Sequence, residues 1–462
     1  MEQIQKMNTP HIDILKKLVA QEMCTGCGAC AAQCPKGTIP MNWNDKGFLV
    51  PSFDQAARIP KTSLQVCPFN PIPEPQVRTE NELAALFLKE APHAHPQTGR
   101  YFATYAGYAV NYRKTSSSGG IASYLMTTLL ESKTVDAVLA VRSSEDATKH
   151  YEYAILRSTE EVLSSSKTKY YPVTLADVLR MLPEIEGKVA IVGIACFLKA
   201  VRLHQYYHPE LRDKIAFLIG IICGGMKSSF FAEYLAGKAG ADIHHFRHPQ
   251  FRIKNTESFA LDYSYGCMDA DGKEHTIKMR SVGDMWGTGL FKNNACDFCD
   301  DVTTELADIS LGDAWLEPYS KDGHGTNVLV TRSQLAESLI TKGIKSGALV
   351  IDNLSFNAFL SSQQGSFNHR HTALGYRVKL ARKRKKLVPP KRHEQISIPI
   401  EVKWVQKQRM KTRSESLRIW KQKQDSVLFD KEINKRLYWL GKFTALYHYA
   451  RRFRNLINRN KK

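Results

Sequence analysis

The chain has 462 residues, of which 43% are apolar and 10% aromatic, so it is long enough for two or three domains and too apolar to be disordered. No apolar run approaches the roughly 18 residues that a membrane span needs. Residues 1–17 lack the apolar core of a signal peptide, so we expect none. The ten cysteines include close-spaced groups, which favours metal chemistry in a reducing cytoplasm over disulfides.

The formal net charge of +20 is concentrated at the C-terminal end. Residues 371–462 contain 27 Lys and Arg against 6 Asp and Glu, whereas the first 370 residues contain 38 against 39. The body of the protein is therefore electrically balanced. Because the excess belongs to one segment and the sequence contains no recognised nucleic-acid module, we expect no specific nucleic-acid binding.

The first motif is a run of cysteines separated by two, two and three residues and closed by Pro35. Its members are Cys24, Cys27, Cys30 and Cys34. This is the spacing with which bacterial ferredoxins hold a cubane 4Fe–4S cluster. A zinc site is the alternative, but zinc sites favour two separated pairs of ligands. The sequence therefore predicts a ferredoxin-type iron–sulfur unit at the N-terminus.

The fourth ligand of this cluster has two candidates. In two-cluster ferredoxins, the cysteine that precedes proline binds the cluster of the other half. Here the second half is reduced to Cys67-Pro68, with no upstream triplet of its own. We favour Cys67 as the fourth ligand, and Cys34 remains the alternative.

Residues 70–75 are rich in proline and indicate a domain boundary. A helical stretch at about 80–90 and a strand at Tyr101–Val110 follow. Ser116–Gly120 then precedes a predicted helix at Ile121–Leu130. Small residues at a helix start suit a phosphate group, because free backbone N–H groups and the helix dipole meet there. An ordinary serine N-cap is the alternative, and on this motif alone it is favoured.

Two short apolar runs resemble each other. Lys188–Ile194 leads to Cys196 and Lys214–Ile222 leads to Cys223, each through a Gly-Ile-x-Cys ending. Both runs are typical of buried parallel strands. Because the carboxyl ends of parallel strands form the ligand crevice of an open sheet, we expect the two thiols to lie near one another.

A second close pair, Cys296 and Cys299, brings the number of such thiols to four. Four is the ligand count of a second cubane, with a four-thiolate zinc site as the alternative. Three aspartates, Asp297, Asp300 and Asp301, flank the pair. They either lower the potential of a cluster or lie in a solvated loop. Cys267 has no partner, and we expect it in the core.

Six elements in order resemble the beta-subunit family of coenzyme F420 hydrogenases and dehydrogenases. They are Ser118-Gly119-Gly120-Ile121, Thr168-Lys169-Tyr170, Gly193-Ile194-Ala195-Cys196 with Arg202, Gly220-Ile221-Ile222-Cys223, Cys296-x-x-Cys299 and Ala307–Asp313. A preceding ferredoxin unit is also usual in this family. Ala195 departs from the pattern, since many relatives have proline there, and the basic tail is a second departure.

The resemblance implies a flavoprotein with FAD beside a 4Fe–4S cluster. By that resemblance Cys196, Cys223, Cys296 and Cys299 are the cluster ligands. The flavin-side residues implied are Ser118, Gly119, Gly120, Lys169 and Tyr170. The implied electron acceptor is coenzyme F420 itself or a small organic compound linked to surface-polysaccharide metabolism. The implied donor is a redox protein such as a ferredoxin.

The basic tail has two parts. Lys379–Arg392 is a polybasic run with two prolines, which suggests a flexible connector. Beyond it, apolar residues recur at helical spacing, at Phe443, Leu446, Ala450, Phe453 and Ile457. Most such helices pack on their own domain, which favours docking. Surrounding basic residues also suit an anionic membrane surface, so peripheral contact with the inner membrane is the alternative.

These observations predict an α/β protein (α+β overall) in four parts. The parts are a ferredoxin-type 4Fe–4S domain at 1–75, a linker at 76–100, a flavin and 4Fe–4S domain at 101–375, and a basic helical extension at 376–462. We expect a cytoplasmic iron–sulfur flavoprotein oxidoreductase with two clusters and FAD. No residue identifies itself as a general acid, and no catalytic residue is assigned. A metal-binding adaptor without flavin, and an electron carrier without a substrate, are the alternatives.

Overall fold

The computed structural model describes residues 10–53, 59–146, 148–394 and 397–459. Its helices are α1 Pro10–Ala20, α2 Thr62–Gln65, α3 Glu80–Phe87, α4 Ile121–Glu131, α5 Thr159–Ser164, α6 Ala176–Arg180, α7 Ala195–Tyr207, α8 Ser229–Ala239, α9 Met279–Val282, α10 Gln334–Lys345, α11 Phe356–Ser362, α12 Gln364–Phe367, α13 Leu374–Lys383, α14 Ile400–Lys423 and α15 Ser426–Arg459. Its strands are β1 Met41–Trp43, β2 Leu49–Pro51, β3 His93–His95, β4 Gly99–Tyr101, β5 Thr104–Ala109, β6 Ala137–Ser143, β7 Tyr151–Leu156, β8 Val189–Ile194, β9 Ile215–Ile221, β10 Arg247–Lys254, β11 Tyr263–Met268, β12 Glu274–Lys278, β13 Ile309–Asp313, β14 Asn327–Thr331 and β15 Leu349–Asn353.

A central sheet of eight strands forms the body, in the order β15-β5-β14-β13-β9-β8-β6-β7. The inner neighbours β13, β9, β8 and β6 are parallel, and the outer pairs are antiparallel. Helices α4 and α10 pack on one face, and α6 and α7 pack on the other. This mixed architecture confirms the predicted α/β fold class.

The predicted elements around the sheet are mostly present. The two apolar runs form β8 and β9, which pair in parallel with Ile194 opposite Ile221. The strand expected at Tyr101–Val110 is divided in two. Its first part, β4, pairs with β3 in a separate two-stranded sheet. Its second part, β5, joins the central sheet between β14 and β15.

The N-terminal unit consists of α1, the cysteine loop, the β1–β2 hairpin and α2. Its small core includes Leu15, Leu18 and Ile39, and it is completed by Leu374 and Val378 of α13. The N-terminal unit and the C-terminal extension therefore share one apolar core, although they lie at opposite ends of the sequence.

Helices α14 and α15 form a hairpin that packs on α8, and α8 packs on β11 and β12 of the three-stranded sheet β10-β11-β12. Trp420 is 0% exposed and contacts the rings of Tyr234, Phe291 and Phe429. Its Nε1 donates a hydrogen bond to Glu233 at 2.7 Å. Helix α14 and the first part of α15 are therefore docked on the body, whereas the docking predicted for the apolar stripe at 443–457 is not seen at Leu446 and Phe453, which are 45% and 66% exposed.

The prediction of a flexible connector at Lys379–Arg392 is wrong over much of its length. Residues up to Lys383 belong to α13, and Lys391 and Arg392 are buried in ion pairs with Asp300 and Glu305. These ion pairs could not be predicted from the sequence, because the acidic partners lie about 90 residues earlier in the chain.

The outer face of α15 beyond Leu440 differs from its docked start. Leu446, Tyr449, Phe453 and Leu456 are all exposed there, at 45% to 69%. The side chain of Ile457, which the sequence placed on the apolar stripe, lies outside the described residues. In the part of the chain that the structure describes, no helix is long and apolar enough to cross a bilayer.

Replacing Trp420 by alanine tests the docking of the hairpin. Loss of a fully buried tryptophan and of its hydrogen bond should lower the free energy of unfolding by about 3–5 kcal/mol. Urea unfolding followed by circular dichroism measures the change, and limited proteolysis should cut the released hairpin. Trp404→Ala, at a tryptophan that is 38% exposed, is the matched control and should cost far less. Equal effects would contradict the docking role of Trp420.

Candidate functional site

The first cysteine set surrounds a cavity in the N-terminal unit. Cys24, Cys27, Cys30 and Cys67 all line this narrow cavity. The other lining groups are mostly apolar and come from α1, the cysteine loop and residues 68–69. Four sulfurs thus converge on one enclosed space.

Cys34 lies apart from this set and does not line the cavity. Its carbonyl accepts a hydrogen bond from Arg180 Nε at 3.0 Å, and its thiol lies near Ser63 and Arg180. The structure therefore places Cys67 with the Cys24, Cys27 and Cys30 triplet and leaves Cys34 outside it.

Two glycines give the cysteine loop its shape. Gly26 and Gly28 have φ angles of 72° and 77°, which L-residues rarely adopt. A Cβ on Gly26 would clash with the carbonyl oxygen of Leu49, and one on Gly28 would clash with Thr174. The Gly26 N–H also donates to Cys24 Sγ at 3.3 Å. The loop therefore curls its backbone N–H groups towards the sulfurs.

The second cysteine set forms at the carboxyl ends of β8 and β9. Cys196 begins α7 directly after β8, and Cys223 follows β9. Cys296 and Cys299 arrive on a short helical turn at Asn294–Phe298. An antiparallel bridge between Lys227 and Lys292 joins this turn to the segment after β9.

Backbone donors also point at the sulfurs of the second set. The Gly225 N–H donates to Cys223 Sγ and the Met226 N–H to Cys296 Sγ, each at 3.3 Å. Burial raises the pKa of the Cys196 thiol well above its usual value, and the other three thiols of the set raise it further. The four thiols are therefore close enough to act on one another.

The two sets are neighbours. Cys27 of the first set adds to the upward pKa shift of Cys196 in the second. Burial raises the pKa of Tyr153, and Cys196 and Cys27 both raise it further. The hydroxyl of Tyr153 donates to the Val192 carbonyl at 2.9 Å, which fixes the ring at the end of β8. Cys27 and Cys196 thus mark the point where the sets approach.

The sulfur ligands limit the kinds of metal centre that either cysteine set can bind. Each set offers four sulfur atoms, and thiolates favour iron–sulfur clusters or zinc. Burial raises the pKa of Cys24 to about 12 and that of Cys299 to about 11. Thiols with such pKa values are protonated at neutral pH, and metal binding would displace those protons. Over the described ranges, no three His, Cys, Asp or Glu side chains are grouped as ligands of one metal ion.

The aspartates of the second set do not lie in a solvated loop, as one of the two interpretations held. Asp297, Asp300 and Asp301 are each 1–3% exposed. Burial would raise the pKa of Asp297, but Lys292 and Arg413 hold it well below its usual value. Lys292 Nζ lies 2.6 Å from Asp297 and Arg413 Nε lies 3.0 Å from it.

Sequence reasoning missed the basic partners of these aspartates. Four of them come from the C-terminal extension, namely Arg377, Lys391, Arg392 and Arg413. A fifth, Arg370, donates to the Asp301 carbonyl and contacts the sulfur of Cys299. The accumulation of basic residues after position 370 was visible in the sequence, but it led us to predict a flexible connector and a docked or membrane-facing helix, not buried partners of aspartates.

The flavin-side residues implied by the resemblance lie on neighbouring loops. Gly120 caps α4 with a φ of 81° and no side-chain hydrogen bond, so the ordinary serine N-cap is wrong. Ser118 Oγ donates to the Thr326 carbonyl at 3.2 Å. Ser117 Oγ accepts from the Thr168 N–H at 2.9 Å, which joins the Ser116–Gly120 loop to the segment of Lys169.

Lys169 and Tyr170 are held differently. The ammonium of Lys169 donates to the carbonyls of Ser165 and Ser166, and burial lowers its pKa to about 7. The ring of Tyr170 packs edge-on against Phe251 and Trp286, at 5.6 and 4.7 Å between centroids. Lys169 thus turns towards its own loop, whereas Tyr170 lies in an aromatic group.

Two further cations adjoin these loops, and sequence reasoning missed both. Lys254 donates to the carbonyls of Ser118, at 3.1 Å, and His324, at 2.7 Å. Arg252 pairs with Asp313 at 2.6 Å. Among the described residues, the Arg252 Nε is buried without a hydrogen-bond partner. A buried donor without a partner is a feature that a bound anionic ligand would satisfy.

Comparison with known proteins identifies the family. The model of the N-terminal part of the coenzyme F420 hydrogenase/dehydrogenase beta subunit matches residues 104–180, and the model of its C terminus matches residues 186–356. A 4Fe-4S binding-domain model matches residues 18–39. The chain therefore belongs to the coenzyme F420 hydrogenase/dehydrogenase beta-subunit family. It is an iron–sulfur oxidoreductase of that family.

Curated relatives are distant in sequence. The chain is 22% identical to one subunit of the F420H2 dehydrogenase of Methanosarcina mazei, over 64% of this chain and 77% of the relative. It is 27% identical to the beta subunit of the coenzyme F420 hydrogenase of Methanococcus voltae, over 52% of this chain and 80% of the relative. It is 24% identical to the coenzyme F420-dependent sulfite reductase of Methanocaldococcus jannaschii, over 69% of this chain but 46% of that enzyme.

A solved structure is also similar. One polypeptide of the F420-reducing NiFe hydrogenase complex from Methanosarcina barkeri matches with a TM-score of 0.49 and 18% identity, covering 64% of this chain and 99% of that polypeptide.

Serine substitutions at Cys67 and Cys34 test the membership of the first set. Because Cys67 lines the cavity and Cys34 does not, Cys67→Ser should remove about half of the bound iron, whereas Cys34→Ser should keep it. Iron analysis and low-temperature EPR of anaerobically purified protein measure the difference. Loss of iron in Cys34→Ser, with full retention in Cys67→Ser, would instead identify Cys34 as the fourth ligand.

Proposed function

We propose that the chain carries two 4Fe–4S clusters and FAD and connects a one-electron protein donor to two-electron chemistry on an organic acceptor. The observation that carries this proposal is the approach of two four-cysteine sets, since Cys27 of the first set and Cys296 of the second belong to one core cluster against which Cys196 packs. When bound, clusters exchange single electrons, while a flavin exchanges electrons singly or as a pair.

A separate set of cysteines would hold each of the two clusters. Cys24, Cys27, Cys30 and Cys67 would hold the first cluster in an apolar cavity that excludes water. Cys196, Cys223, Cys296 and Cys299 would hold the second, with backbone N–H groups donating to two of their sulfurs. Such donors and the low exposure of the thiols are features that set a cluster's potential.

The flavin would lie at the loops of Ser118–Gly120 and Lys169–Tyr170. Support comes from the start of α4, where the N-cap has no side-chain bond although the Ile121 N–H donates to Asn327 Oδ1 at 3.3 Å, and from the adjoining cations Arg252 and Lys254. A helix start and buried cations suit the pyrophosphate of a dinucleotide. Tyr170 would offer an aromatic ring to the flavin side of the same site.

The acceptor and the donor are proposed from the relatives. Coenzyme F420 is our first candidate acceptor, because the named relatives are F420 hydrogenases, an F420H2 dehydrogenase and an F420-dependent sulfite reductase. A small acceptor linked to surface-polysaccharide metabolism is the second. Since several relatives are subunits, we propose a redox protein such as a ferredoxin, or a larger subunit, as donor. The ten free cysteines support a cytoplasmic site of action.

Metal and flavin analysis of the wild-type protein tests this proposal. Anaerobically purified protein should contain about eight irons and one FAD per chain, from two cubanes and one flavin. Cys223→Ser should lose the second cluster and keep the first, because the two sets are built from separate segments. About four irons with bound zinc would place zinc in one set. Iron without flavin absorbance would favour the metal-binding adaptor, and flavin without turnover of any acceptor would favour the electron carrier.

We also propose that the outer face of α15 contacts an anionic membrane. Trp439, Leu446, Tyr449, Phe453 and Leu456 are exposed along one side of this helix, at spacings of seven, three, four and three residues. Residues 433–459 contain seven Lys and Arg and no Asp or Glu. Aromatic and aliphatic side chains with flanking cations suit the headgroup region of an anionic bilayer. A second copy of the same cationic helix would be repelled.

Vesicle co-sedimentation tests the membrane contact. The full chain should bind phosphatidylcholine vesicles only when phosphatidylglycerol is included, and salt should weaken binding. Phe453→Ser should lower binding about tenfold, because one buried phenylalanine contributes about 1.5–3 kcal/mol. Val427→Ser, at an exposed valine on the same helix outside this stripe, is the matched control. Equal binding to both vesicle types, or loss of a dimer instead of vesicle binding in Phe453→Ser, would contradict the membrane contact.

A further inference from the structure

We propose that Arg370, which lies just before the C-terminal extension, raises the reduction potential of the second cluster through its buried guanidinium. This inference rests on the proposed second cluster and concerns a residue outside the family region, since the family match ends at residue 356. The segment between the family region and the extension thus supplies a part of the redox site that the family models do not cover.

Arg370 reaches the second cysteine set from a π-helical turn at Asn368–Thr372. Such turns are rare and occur frequently at functional sites. Its Nη1 lies 3.6 Å from Cys299 Sγ and donates to the Asp301 carbonyl at 2.6 Å. Its Nη2 donates to the Cys223 carbonyl. One side chain therefore contacts two of the four cysteines.

The guanidinium of Arg370 is paired differently from the guanidinium groups of its basic neighbours. Arg392 and Arg413 each lie within 3.0 Å of a carboxylate oxygen, on Glu305 and Asp297 respectively. Within the described residues, Arg370 forms no such ion pair, and its hydrogen bonds go to carbonyls and to a sulfur. Its charge is therefore directed at the cysteine set and is not neutralised by a paired carboxylate.

Burial makes this charge effective. Arg370 is 4% exposed, so solvent screens its field weakly. An arginine side chain keeps its positive charge in proteins, so the guanidinium stays charged beside the sulfurs throughout the working pH range.

The sign of the effect follows from the charge change on reduction. A cluster gains one negative charge when it accepts an electron, so a fixed cation beside it stabilises the reduced form and raises the potential. Hydrogen bonds to cluster sulfurs act in the same direction. The opposing carboxylate of Asp297 is held by Lys292 and Arg413, which limits its lowering effect. The net influence of Arg370 is to make the second cluster easier to reduce.

Redox titration of the holoprotein, followed by EPR, tests this role. Arg370→Gln should keep both clusters and shift the reduction equilibrium of the second cluster at least tenfold towards the oxidised form, which is about 59 mV for a one-electron couple. The first cluster should keep its potential. Arg370→Lys, which retains the cation, should stay within about threefold of wild type. Arg382→Gln removes a charge from an exposed part of the neighbouring C-terminal extension, where Arg382 pairs with Glu394, and should change neither potential.

The outcomes separate three possibilities. Both clusters present in Arg370→Gln at unchanged potentials would overturn the role of Arg370, while the proposed function would stand. If Arg370→Gln cannot hold the second cluster, Arg370→Lys decides: a potential within threefold of wild type supports the charge, and a tenfold shift overturns it. A wild-type protein that holds zinc or a single cluster would instead refute the proposed function before any variant is measured.

Discussion

The parallel pairing of β8 with β9 is the constraint on which the redox site depends. With Ile194 opposite Ile221, the two strands end at the same edge of the central sheet. Each strand is followed within two residues by a cysteine, so backbone hydrogen bonding between strands fixes where Cys196 and Cys223 leave the sheet. A shift of one residue in this register would turn the side chains of one strand to the opposite face. Cys296 and Cys299 reach the same edge on the turn at Asn294–Phe298, which the bridge between Lys227 and Lys292 joins to the segment after β9.

Charged side chains from distant parts of the sequence surround this edge of the sheet. The cysteine pair at Cys296 and Cys299 carries buried aspartates, which a protein interior tolerates only when they are paired. The C-terminal extension supplies most of the paired cations, and in doing so it closes over the second set. Much of the extension is therefore packed into the interior of the protein, whereas its distal helical turns expose a basic and aromatic surface.

The sequence was sufficient to predict the elements whose pattern lies within one short segment of the chain. Apolar runs predicted β8 and β9, and cysteine spacing predicted the N-terminal loop. The proximity of Cys196 and Cys223 followed from a general rule about parallel sheets. The C-terminal partners of Asp297 and Asp300 could not be predicted, because ion pairs between residues about 90 or more positions apart leave no pattern in composition or period. Arg370 was hidden for the same reason, since Cys299 and Asp301 lie 71 and 69 positions earlier in the chain.

The central claim is that two separate sets of four cysteines hold two iron–sulfur clusters side by side. Anomalous diffraction from crystals of the anaerobic protein, recorded on both sides of the iron absorption edge, tests it most directly. The account predicts two compact iron peaks, one among Cys24, Cys27, Cys30 and Cys67 and the other among Cys196, Cys223, Cys296 and Cys299. A single iron peak, or a signal at the second set that appears at the zinc edge alone, would contradict it.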